Sequence, residues 1–206
     1  RNSRGRERLY KYIDEYVGRY KNHRAVTMWE ISNEMTLKID IGGHKDPEKR
    51  LSNDGERLPT LEDLGVFYND VAKRIKKVDP LRIVNNGGGH LRSSAWNSYQ
   101  GNGWQKDTYE EHKKAFKLLF KNSAVNVMDV HLYPNHHPSY YLSNGRGGKE
   151  ALETKDYMRL ASYVKMPLIV GEFGLQPAAK SDSKVWDEEP DYFETNKDVA
   201  AATPWF

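Results

Sequence analysis

Four short apolar runs, AVTMWEIS, LRIVNN, VNVMDVHLY and MPLIVGEFG, recur along the chain, each preceded by an amphipathic stretch of helical period. This alternation constrains the fold more than any other feature, because strands joined through helices lie parallel, with right-handed crossovers. Ahead of the first run, Leu9, Ile13, Tyr16, Val17 and Tyr20 recur at helical spacing. Ahead of the second, Thr60 and Asp63 form a capping box that opens the stripe Leu61, Leu64, Phe67, Val71, Ile75 and Val78. Thr108 and Glu111 repeat that box before HKKAFKLLFK. In KEALETKDYMRLASYVK the inward positions are Leu152, Met158, Ala161 and Val164, and a weaker helical pattern, EEPDYFETNKDVAAA, precedes the closing TPWF.

Such a chain folds as α/β, either as a doubly wound open sheet or as part of a (β/α)8 TIM barrel. A whole barrel takes about 250 residues, so four strands make about half of one. The expectation is a single partial (β/α)8 catalytic domain over residues 1–206, a fragment whose open edges and inner face call for the missing remainder of the barrel as partner. The helix-to-strand connections are short and the long loops all follow strands, which puts the elaborated loops on the face where both architectures hold their active sites.

The strand exits read WEISNE, IVNNGGG, VHLYP and VGEFG. Two of them carry a glutamate, Glu34 and Glu172, and a pair of carboxylates across a barrel mouth is the minimal machinery of glycoside hydrolysis. Either residue alone reads as a solvated loop group or a cap. Beside Glu34, Asn33 has an N–H suited to a sugar 2-hydroxyl. His131 and Tyr133 alternate along HLY and so share one face of their strand, where Tyr133 is suited to orient a nucleophilic carboxylate and His131 to tune the acid. Trp96, Trp104 and Trp186 lie in loops, with Tyr99, Tyr140 and Tyr141 as further aromatics, either as stacking platforms for sugar or as anchors that pack their own loops. Asn85 and Asn86 either bind hydroxyls or fix the turn into the glycines.

Other classes are disfavoured. The net charge of +3 is spread over helical segments, which argues against nucleic-acid binding. No apolar run reaches the roughly 18 residues of a membrane span. There is no cysteine and hence no thiolate metal site. NHHP lacks an acidic or histidine partner at metal-site spacing, and NNGGGH lacks a nucleotide fingerprint. No metal and no cofactor is expected.

WEISNE, HLYP and PLIVGEFG, in this order at successive strand ends, resemble the retaining glycoside hydrolases of clan A, most of all glycoside hydrolase family five, which includes cellulases and β-mannanases. The resemblance implies that the chain runs from the fourth to the seventh strand of the barrel, with Glu34 as acid/base, Glu172 as nucleophile, and β-mannan or β-glucan as polysaccharide substrate. It also favours a secreted, extracellular protein. The second-strand Arg, third-strand His and eighth-strand Trp of that family have no counterpart in this reading, which sets Trp205 after a helix. The alternative from another class is a non-catalytic carbohydrate-binding or truncated scaffold fragment of such a barrel.

Overall fold

The computed structural model describes residues 3–39, 44–49, 58–88, 91–121, 123–132, 154–173, 197 and 199–204. Among the described residues there are five strands: β1 (Met28–Glu30), β2 (Ile83–Asn85), β3 (Met128–Leu132), β4 (Leu168–Phe173) and β5 (Val199–Pro204). The helices are α1 (Arg4–Tyr20), α2 (Thr36–Ile39), α3 (Leu61–Val78), α4 (Ala95–Gln100), α5 (Tyr109–Phe120) and α6 (Thr154–Val164). β1 pairs with β2, a bridge from Asn85 to Val127 joins β2 to the entry of β3, and β3, β4 and β5 pair in turn, all parallel. Spatial order therefore follows chain order with no reversal. A doubly wound sheet needs a reversal at its switch point, so the sheet is an arc of a (β/α)8 barrel.

The helices line the arc in the same sequence, α1 against α3, α3 against α5 and α5 against α6. Both capping boxes form as the sequence indicates, Thr60 with Asp63 and Thr108 with Glu111. The buried face of α3 is broader than its apolar stripe, since Tyr68 and Ala72 are also fully enclosed. On α6 the innermost residues are Tyr157, Leu160 and Ala161, with Met158 and Val164 at the margin of the core. Leu152 lies outside the described residues. On α1, Ile13 and Val17 face the core, while Tyr16 and Tyr20 lie ring against ring, tilted, on the surface.

Two segments depart from the sequence reading. The loop after β2 contains the short helix α4, whose first turn is bound by a buried carboxylate from beyond its end: Asp107 accepts from the N–H of Trp96 and of Asn97, at 2.9 Å each. The second departure is at the C-terminal end. The VAAA read as the close of a helix belongs to strand β5, VAAATP, which extends the arc from the four expected strands to five among the described residues. Alanine favours helix only weakly when a tertiary partner competes, and β4 offers a full edge of unpaired backbone groups that β5 satisfies. Trp205 thus follows a strand in the chain, not a helix; its side chain lies outside the described residues.

The N-terminal end of the arc is held by one buried carboxylate. Asp79, just past α3, accepts from Trp29 Nε1 at 2.9 Å, from the backbone N–H groups of Leu81 and Arg82, and from the Arg82 guanidinium at 3.0 Å. Arg82 in turn donates to the carbonyls of Val26 and His23. Burial pushes the Asp79 carboxyl up, but the donors from Trp29, Arg82 and Leu81 together outweigh burial and hold it below the usual range. Asp79→Ala leaves Trp29 Nε1 without its acceptor and Arg82 without its carboxylate, and is expected to cost about 3–5 kcal/mol, read as a lowered urea midpoint at unchanged slope.

Candidate active site

The chain passes from β1 into a tight turn whose last residue is Glu34. Glu34 has φ of +49°, in the left-handed region, which a side chain with a Cβ enters at a cost of roughly 1–2 kcal/mol. Backbone bonds hold it there. Its N–H donates to the Gly87 carbonyl at 2.8 Å, and its own carbonyl accepts from Leu37 at 3.0 Å. Gly87, itself at φ +59°, sits so close to the turn that a Cβ on it would lie 1.6 Å from the Ser32 carbonyl oxygen. Asn85 fixes this glycine, its Oδ1 accepting from Gly87 N–H at 2.9 Å. Asn85 and Asn86 thus serve the turn and the sheet: Asn86 exchanges hydrogen bonds with the backbone N–H and carbonyl of Asp129.

Three side chains meet at the C-terminal ends of the strands. His131 Nδ1 lies 2.9 Å from Glu34 Oε1 and 3.4 Å from Glu172 Oε2. His131 is 2% exposed, Glu172 17% and Glu34 30%, so the imidazole forms the floor and the carboxylates the open rim. Facing two carboxylates, Nδ1 is the ring nitrogen placed to donate to them when it carries a proton. One ligand atom from each residue lies within 4.8 Å of the other two, the sole such cluster among the described residues. An imidazole and two carboxylates also form a donor set that zinc accepts, so this cluster is where a metal would bind. Spacing along the chain does not reveal it.

Two further carboxyls stand around this trio that motif reading had not singled out. Glu30 ends β1; loss of hydration on its inner side pushes it up, with the charge of Glu172 adding to this and His131 and Asn85 opposing it. Asp129, on β3, is 1% exposed. Its Oδ1 accepts from Gly171 N–H at 2.8 Å, while Oδ2 has no hydrogen-bond partner. Burial pushes the Asp129 carboxyl up to about 7, with Glu30 and Glu172 adding to the rise and His131 and the Gly171 N–H opposing it. Strand alternation was the available signal: Asp129 precedes His131 by two residues, as His131 precedes Tyr133.

A pH dependence follows. A carboxyl at about 7 in the fold, against 3.8 in an unperturbed chain, holds its proton more tightly when folded. Its contribution to stability is therefore complete below about pH 4 and is lost as pH rises through 7, by roughly 4 kcal/mol. Asp129→Asn removes this titration. The variant is expected to gain on the wild type by that order between about pH 4 and 7.5, measured by urea unfolding at both pH values.

The other candidates are dispersed. Asn33 is exposed beside Glu34. Trp96, on α4, packs against Tyr99 at 5.6 Å and has Lys114 over its ring at 5.5 Å, while Trp104 is 63% exposed. Tyr133, Tyr140, Tyr141 and Trp186 lie outside the described residues.

No protein-family model and no curated protein matches the chain. Solved structures do. The endo-β-1,4-mannanase of Thermotoga petrophila superposes with a TM-score of 0.59 at 18% identity, over 100% of this chain and 42% of the enzyme. The endo-1,4-β-mannanase of Rhizomucor miehei gives 0.58 at 19% identity, over 99% of this chain and 53% of the enzyme. The chain shares their fold. A calcium-binding mutant of Bacteroides uniformis β-glucuronidase 2 gives 0.60 at 17% identity, over 100% of this chain and 22% of the other. The chain thus spans about half the length of the two mannanases, and its five strands form a continuous portion of the (β/α)8 barrel.

Proposed function

We propose that the chain carries the catalytic pair of a retaining glycoside hydrolase acting on a β-linked polysaccharide, β-mannan ahead of β-glucan. The observation that carries this reading is the convergence of Glu34 and Glu172 on one imidazole nitrogen, each from the C-terminal end of its own parallel strand. Retaining enzymes hold their two carboxyl groups roughly 5–5.5 Å apart, and inverting enzymes leave a wider gap for water. Ligand atoms within 4.8 Å fit the narrower arrangement. Mannan stands first because the mannanases share the fold.

Glu172 attacks the anomeric carbon as Glu34 protonates the departing oxygen. Glu34, now ionised, takes a proton from water, and the water displaces Glu172 with net retention. The His131 N–H stabilises whichever carboxylate is charged. Asn33 donates to the sugar 2-hydroxyl. Tyr133 is assigned to orient Glu172 on its motif alone. Trp104 offers sugar an open ring face, whereas one face of Trp96 is taken by Lys114; Trp186 remains a platform by sequence position. β1 and β5 each pair on one side only among the described residues, and the other side is where the remaining strands of a barrel pair.

A non-catalytic scaffold has no need for facing carboxylates, and their convergence disfavours it. The test is hydrolysis of β-mannan and β-glucan followed by proton NMR of the first product. Early accumulation of the β-anomer supports retention. Early α-anomer, or no release of reducing ends from either polymer, overturns the reading.

A further inference from the structure

The pairing of β3 with β4 contains a one-residue slip. Asp129 stands opposite Ile169 and Val130 opposite Val170, but His131 stands opposite Glu172, so Gly171 has no counterpart on β3. In a regular ladder paired residues point to the same face and successive residues alternate. Asp129 and His131 share a face. Without the slip Gly171 would take the place opposite His131, and Glu172 would turn toward the helices. A bulge of this kind re-aims a single side chain, and here the side chain is one of the two carboxylates that meet at His131.

A bulge leaves its extra residue's backbone unpaired. The Gly171 N–H donates at 2.8 Å to Asp129 Oδ1, a side chain from the neighbouring strand in place of a ladder carbonyl. Contact is so close that a Cβ on Gly171 would lie 2.4 Å from Oδ1 and 2.6 Å from Oδ2. Asp129 is itself immobilised, its N–H held by Asn86 Oδ1 at 2.8 Å and its carbonyl by Asn86 Nδ2 at 3.3 Å. A buried carboxyl with one oxygen committed to the bulge and the other unpaired is costly to keep. The packing of the sheet would be served as well by an apolar side chain.

We propose that Asp129 is a positioning residue: by accepting the Gly171 N–H it holds the slip in β4 that turns Glu172 toward His131 and Glu34. The geometric half of this statement stands on the strand pairing alone; its catalytic half rests on the reading of Glu172 as nucleophile.

Three variants test it. Asp129→Asn keeps an acceptor oxygen at Oδ1, Asp129→Ala removes it, and Gly171→Ala inserts a methyl where the carboxyl stands. The wild type and Asp129→Asn are expected to protect the Gly171 amide from hydrogen exchange, and crystal structures should keep Glu172 beside His131. In Asp129→Ala the amide should exchange at least tenfold faster and Glu172 should leave His131. On β-mannan, Asp129→Ala and Gly171→Ala should lose roughly 10²-fold in kcat, the scale of an ångström's misplacement. KM should change within about threefold, and Asp129→Asn should stay within about fivefold of wild-type kcat. A folded Asp129→Ala or Gly171→Ala that keeps Glu172 against His131 overturns the proposal. Should the wild type hydrolyse neither polymer, the reading of function fails, and exchange and crystallography still decide the role of Asp129.

Discussion

Glu172→Ala is expected to abolish turnover of β-mannan, by roughly 10⁴-fold or more in kcat as for the loss of a nucleophile elsewhere, while the fold stays intact. Glu172 is 17% exposed at the rim, and its removal relieves a carboxylate crowded by Glu30 and Asp129, so circular dichroism and the unfolding midpoint should change little. Glu34→Ala has a different signature. An acid contributes about 10²–10⁴-fold, and its contribution shrinks when the leaving group needs no proton. On a dinitrophenyl glycoside, Glu34→Ala should still form the glycosyl-enzyme and then stall, because nothing activates the water. Intact mass should show the chain heavier by one glycosyl group. Glu172→Ala should never show that adduct. An adduct in Glu172→Ala, or near-normal turnover of polymer by either variant, would remove these residues from their roles.

The second large effect is expected at a residue that touches no substrate. Gly87→Ala places a methyl carbon where the Ser32 carbonyl oxygen already stands, with Glu30 Cγ 2.6 Å away on another side. Backbone overlap of this size cannot be relieved by a rotamer, so the turn from Ser32 to Glu34 must move by more than an ångström. The left-handed conformation at position 87 adds roughly 1 kcal/mol or more of strain. Since Glu34 hangs from the Gly87 carbonyl, kcat should fall about 10²-fold or more and the melting temperature should drop as well. Glu34 is near the His131 floor only because that turn is tight. A Gly87→Ala variant with wild-type kcat would show that the turn has slack that its close contacts do not suggest.

The order of elements was legible because each strand was bounded by strong local signals: two capping boxes, Asp79-Pro80, and apolar runs short enough to be strands. β5 was not legible, since VAAATP reads as a strand only once the edge of β4 is there to pair with it. The two glutamates that converge on His131 were legible because strand exits can be located from sequence and two of them end in a glutamate. Asp129 and Glu30 were missed for one reason. Asp129 stands just before VHLYP and Glu30 lies inside WEISNE, and alternation was followed outward from the strand ends but not back into the sheet. The slip at Gly171 was beyond reach, because a register is a property of two strands and neither shows it alone.

The sequential order of the strands also has a consequence in time. His131 follows Glu34 by 97 residues, which at roughly 5–20 residues per second of synthesis is a delay of about 5–20 s. β1, β2 and the Gly87 carbonyl that fixes Glu34 are all made well before that interval ends. During biosynthesis the Glu34 half of the site is therefore made first, and the histidine and second carboxylate are added to it afterwards. An error in the Gly87 turn is built in before the rest of the site exists, whereas an error at Asp129 leaves that earlier half untouched.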